Sequence, residues 1–131
     1  MAGRAPILIA VVALANALLL WQCHDRYWYP VDEGNYAHVA ERMLNGEVLN
    51  RDVQDIHPGY INFVNAAAFK VFGVDLLSLR YPLMLAALVE SCLVALLLAP
   101  RGTLPAVVGS LATTALGVIQ FLNPTAHWYC L

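Results

Sequence analysis

Charge is scarce in this chain. Asp, Glu, Lys and Arg make up 12% of the 131 residues, against about 25% in soluble domains. The nine acidic and seven basic residues leave a net charge of −2, which excludes the basic field that nucleic-acid binding requires. Cysteine is also sparse. The three present are odd in number and lack metal-ligand spacing, so they cannot all pair within the chain and imply no disulfide framework. No internal repeat or low-complexity tract occurs. What the chain has instead is apolar side chains, 60% of the total, against a soluble norm of about 45 to 50%. Such a composition calls for lipid, and three long apolar runs leave little material for a separate soluble core.

The first run, Ala5 to Trp21, is 17 residues without a charge and reaches about 25 Å as a helix. Arg4 can snorkel at one end, and Trp21 suits an interface at the other. Ala13-Leu14-Ala15 resembles a signal-peptide cleavage site, but Leu18, Leu19, Leu20 and Trp21 carry the apolar run past it. Tyr81 to Ala99 is the second predicted span, 19 residues with Glu90 as its one charge and Pro82 in the first turn. After the turn Pro100-Arg101-Gly102, Leu104 to Leu122 is the third. Its Gly109, Ser110, Thr113, Thr114 and Gly117 allow close helix packing. Glu90 near mid-membrane calls for a partner, and a neighbouring helix's Ser, Thr or Asn16 is the expected one.

Between the first two runs lies a polar loop, residues 23 to 80. Tyr27, Trp28 and Tyr29 open it and read as an interfacial belt. The stretch VDEGNYAHVAERMLNG follows, with Tyr36, Val39, Ala40, Met43 and Leu44 at helical spacing. It predicts an amphipathic helix over about 33–45, stopped by Asn45-Gly46 and too short and polar to span. Asp32 is placed as its N-cap, and Glu33 complements the helix dipole. An irregular stretch carries Arg51, Asp52, Asp55 and His57, where Pro58 biases His57 toward extended geometry. A second short helix is predicted over about 60–72, ended by Gly73. Both helices are expected to lie flat on the membrane surface. The predicted fold class is therefore all-α: a polytopic membrane protein with about three transmembrane helices and two interfacial amphipathic helices in one large loop. Lysine and arginine counts leave the sidedness open, because Arg26, Arg42, Arg51, Lys70 and Arg80 sit in a loop close to the ~60-residue length at which the positive-inside rule loses force.

The ordered residues Asp32-Glu33-Gly34-Asn35-Tyr36, Ala40 to Gly46, Arg51-Asp52, Asp55-Ile56-His57-Pro58-Gly59, Phe72-Gly73 and Arg80-Tyr81-Pro82 resemble the integral-membrane glycosyltransferases of the GT-C superfamily. The resemblance is to the protein mannosyltransferase and lipid A aminoarabinose transferase branch, and it covers most of Val31 to Ala99. It implies a multi-pass protein of a bacterial inner membrane with the large loop external. It also implies inverting transfer of a sugar from a polyprenyl-phosphate donor to a lipid, glycan or protein acceptor. Asp32 matches the position of the base, and Glu33, Tyr36, Arg51, Asp52, Asp55, His57 and Arg80 become candidates for substrate contact. The chain departs from the family at His57-Pro58-Gly59, where Lys-Pro-Pro-Gly is commoner, and at His127, near which relatives often carry an Asp. Family members are several times longer, so the resemblance implies an N-terminal fragment of a larger enzyme, one that alone lacks much of the donor pocket and is inactive.

The chemistry explains why those residue types are candidates. An acceptor hydroxyl is a poor nucleophile until a positioned base takes its proton. The phosphate leaving group needs cationic or hydrogen-bonding partners, for which Arg51, His57 and Arg80 qualify. Each residue also has a plainer role. Asp32 can be a helix cap, Asp52 and Asp55 loop acids pairing with Arg51, and Arg80 an anchor at the mouth of a span. Asp32, Glu33, Asp52 and Asp55 are also hard oxygen ligands of the kind a divalent metal takes. A small non-enzymatic membrane protein whose loop binds a partner subunit is the alternative function.

Overall fold

The structure, a computed structural model, describes residues 5–57 and 59–129, the side chain of Ala5 excepted. The expectations for Arg4 and Pro58 lie outside the described residues. The chain is helical, with helices α1 Ala5–Cys23, α2 Pro30–Leu44, α3 Gly59–Phe72, α4 Leu76–Leu98 and α5 Thr103–Ala112. Among the described residues there is no strand, only an isolated bridge between Leu49 and Val53. Three helical stretches, Pro6–Cys23, Leu76–Arg101 and Thr103–Phe121, are long and apolar enough to cross a membrane. The chain divides into two units, one of Met1–His24 with Met84–Leu122 and one of Asp25–Leu83 with Asn123–Leu131.

In the first unit α1 is built almost wholly of Ala, Leu, Val and Ile, and Asn16 is its one buried polar side chain. Its amide donates to the Val12 carbonyl at 2.9 Å and to Ser110 Oγ at 3.0 Å. A polar group in an apolar setting costs several kcal/mol if unmet, so this pair ties α1 to α5. Asn16, one of the Ser, Thr and Asn side chains expected to partner Glu90, is bonded to Ser110 instead. Among the described residues Glu90 forms no hydrogen bond or ion pair. Gly109 admits the side chain of Leu98, which a Cβ there would strike. Beyond Ala112 the third run is irregular: a π-helical turn at Thr113–Gly117 and a 3₁₀ turn at Val118–Phe121. Thr113 Oγ1 donates back to the Gly109 carbonyl at 2.9 Å, the kind of local competitor that loosens a helix.

Helix α4 begins earlier than the sequence predicts. Asp75 caps it, its Oδ1 accepting from Leu77 N at 2.7 Å while its carbonyl accepts from Ser78 N at 3.0 Å. Pro82 consequently sits inside the helix rather than in its first turn, where it can offer no N–H to the Ser78 carbonyl.

The second unit packs Tyr36 and Ala40 of α2, Ile61 and Phe69 of α3, Leu79 of α4, and Ala126 into one core. Helix α2 starts at Pro30, whose fixed φ suits the first helical position. Asp32 therefore lies within the first turn and is not the N-cap, which is Tyr29 and has no side-chain cap. Glu33 reaches back instead, its Oε2 accepting from Tyr29 N at 2.9 Å. The predicted buried face holds at Tyr36, Val39 and Ala40, whereas Leu44 is exposed. Gly46 (φ 91°) and Gly73 (φ 96°) end α2 and α3 in the left-handed region, where glycine escapes the Cβ clash. In α3 the polarity is turned about: Asn62 and Asn65 are buried, while Tyr60, Phe63, Val71 and Phe72 are exposed.

Candidate functional site

The site lies wholly in the second unit. Val31, Asp32 and Asn35 of α2 and Gln54, Asp55, Ile56 and His57 of the following loop line an open cleft of about 600 Å³. Helical spacing puts Asp32 and Asn35 on one side of α2, one turn before the buried Tyr36 and Val39, at the exposed end of the same face. Asp32 is exposed, and one carboxylate oxygen, Oδ2, accepts from Asn123 Nδ2 at 2.9 Å. No other hydrogen bond to Asp32 is formed among the described residues.

Asp55 is organised differently. Its side chain is only 1% exposed. Oδ2 accepts from Asn62 Nδ2 at 2.7 Å, and Oδ1 from His57 Nδ1 at 2.7 Å, His57 N at 3.3 Å and Asn35 Nδ2 at 3.3 Å. Burial alone would push this carboxyl up, but the donors from Asn62 and His57 outweigh it and hold it below the usual carboxylate range. Because a carboxylate accepts, the proton shared with His57 sits on Nδ1, and Nε2 is the ring nitrogen left to the cleft's contents. The His57 ring also lies 4.6 Å from that of Tyr36. Tyr36 is buried, and its hydroxyl is pushed up to about 12 by burial and then by the charges of Asp32 and Asp55.

Glu33 and Arg80 lie elsewhere. Arg80 Nε donates to Glu33 Oε1 at 2.7 Å with both side chains 0% exposed. The guanidinium also donates to the carbonyls of Arg26 at 2.7 Å and Tyr27 at 3.2 Å, and stacks over the Trp28 ring at 4.1 Å. Tyr27 holds φ 56°, a strained conformation for a bulky residue, as it turns its carbonyl to this arginine. Expected as substrate ligands, the two residues instead serve each other and the backbone before α2. Arg51, with its side chain 70% exposed, pairs with Asp52 at 2.7 Å. Asp52 also accepts from Val48 N at 2.9 Å, so this pair shapes the loop turn and does not line the cleft.

No protein-family model, curated protein or solved structure matches this chain.

The cleft thus brings together four of the sequence-predicted residues: Asp32, Asp55 and His57 on its lining, and Tyr36 against the His57 ring. The four carboxylates considered as metal ligands do not converge. Each has its own partner, and among the described residues no three His, Cys, Asp or Glu side chains form a metal-holding group. Three asparagines were missed. Asn35 and Asn62 fix Asp55, and Asn123 fixes Asp32. Asn62 carried a readable signal, a polar side chain on an otherwise apolar helix. Asn123, 91 residues from its partner, carried none. Chemically the cleft offers an exposed carboxylate that can accept a proton, beside the Asn35 amide and an imidazole that donates to an anion from Nε2 once it carries a second proton.

Proposed function

We propose that this cleft is the acceptor and phosphate end of a membrane glycosyltransferase site that uses a polyprenyl-phosphate-linked sugar. The observation that carries the reading is the contrast between two carboxylates on one lining. Asp32 is exposed with a single amide donor on it, whereas Asp55 is enclosed and committed to His57. Asp32 is then the proton acceptor, and His57, oriented by Asp55, serves the leaving phosphate as the imidazolium, with Nε2–H donating to it. An acceptor hydroxyl oxygen attacks the anomeric carbon on the face opposite the phosphate. The new C–O bond forms as the old one breaks, the bonding pair leaves on the polyprenyl phosphate, and the hydroxyl proton passes to Asp32. The anomeric centre inverts.

The lipid tail of such a donor keeps its phosphate at headgroup depth. The exposed Tyr60, Phe63, Val71 and Phe72 of α3 provide an apolar face with which the second unit lies on the membrane surface, outside the cell by the sequence resemblance. The test is transfer itself. The full-length protein that carries these residues is placed in liposomes and given labelled undecaprenyl-phosphate-linked hexoses and pentoses with a panel of alcohol, glycan and peptide acceptors. The reading predicts label in an acceptor with inverted anomeric configuration; release of no sugar from any donor contradicts it.

A further inference from the structure

We propose that Asn123 is a positioning residue for Asp32. This rests on the transferase reading and adds to it a second stretch of chain. Asn123 is fully buried, and its Nδ2 donates to Asp32 Oδ2 at 2.9 Å. The direction is chemically fixed, because the amide oxygen has no proton to give a carboxylate oxygen. Its backbone is held as well. The Asn123 carbonyl accepts from Thr125 N at 2.7 Å, and three residues on the Ala126 carbonyl accepts from the Tyr60 hydroxyl at 3.1 Å. Ala126 itself lies in the core with Tyr36 and Ile61. The amide is thus presented from a packed segment, the requirement for holding a reacting group within a fraction of an ångström.

The choice of an amide has a chemical consequence. An arginine or lysine in this place would pair with Asp32 ionically and blunt it as a proton acceptor, as Arg51 does for Asp52. A neutral donor fixes the plane of the carboxylate through Oδ2 and leaves Oδ1 to take the proton.

The experiment compares Asn123→Ala, Asn123→Ser and Ser110→Ala with wild type in the liposome assay, using undecaprenyl-phosphate-linked sugars as probes. A positioning role predicts that Asn123→Ala lowers kcat about tenfold or more with KM for the donor within about twofold. Asn123→Ser, which keeps a donor hydroxyl, retains more activity than Asn123→Ala. Ser110→Ala, which removes a hydrogen bond in the first unit without touching Asp32 or the segment that carries Asn123, keeps wild-type kcat. If Asn123→Ala misfolds, Asn123→Ser against Ser110→Ala still decides. Normal kcat in the Asn123 variants, or an equal loss in Ser110→Ala, overturns the inference with the transferase reading intact. A wild-type full-length protein that transfers nothing removes that reading and this inference with it.

Discussion

Glu33 and Arg80 are 47 residues apart in the chain, yet their side chains meet at 2.7 Å with neither reaching solvent. The pair joins the start of α2 to the start of α4, and the same guanidinium holds the carbonyls of Arg26 and Tyr27. Removing one partner strands the other. Glu33→Ala or Arg80→Ala should each cost about 3–5 kcal/mol of stability, measurable as thermal unfolding in detergent. Replacing both together with apolar residues of similar volume should recover much of the loss, and a double variant as unstable as the two singles combined would contradict this.

Asp55 sets an acid limit on the second unit. Its carboxyl is held below the usual range when folded, so it contributes stability above the ordinary aspartate value near 4. That stability is lost as pH falls through the lower folded value. Asp55→Asn should flatten the acid limb of a stability-against-pH curve while leaving its neutral plateau slope unchanged.

Tyr36 sets the opposite limit. Its hydroxyl titrates at about 12 when folded and near 10 when unfolded, so the contribution is complete below 10 and is lost as pH rises toward 12. Tyr36→Phe should weaken this alkaline loss, read by tyrosinate absorbance at about 295 nm alongside unfolding.

Asn16 and Ser110 tie α1 to α5 at 3.0 Å. Ser110→Ala should lower stability in detergent or lipid by only about 0.6 kcal/mol, because the Asn16 amide keeps the Val12 carbonyl at 2.9 Å. A loss several times larger would mean that the two helices depend on this contact.

The helices were legible where one signal acted alone. Apolar runs announced α1, α4 and the helical stretch from Thr103, and Gly46 and Gly73 announced the ends of α2 and α3 because only glycine is at ease with those backbone angles. Starts were harder. Asp32 has the side chain of a cap, but Pro30 fixes the helix two residues earlier, and Asp75 starts α4 ahead of the apolar run that marked it. Which candidates share a cleft was not legible at all. Asp32, Asp55 and His57 gather through Asn35, Asn62 and Asn123, and long-range amide contacts leave no periodic trace. Glu33 and Arg80 looked like ligands because charge in an apolar chain invites that reading. Their burial against each other depends on a contact across 47 residues that no local pattern encodes.

The central claim is that Asp32 takes the acceptor proton, and the direct measurement is single-turnover transfer by Asp32→Asn in liposomes beside donor binding by the same protein. The substitution keeps the size of the side chain and removes its capacity to accept a proton. The account predicts that transfer falls by about a thousandfold or more while binding of the undecaprenyl-phosphate-linked sugar and the unfolding temperature stay near wild type. Transfer within a few-fold of wild type would contradict it.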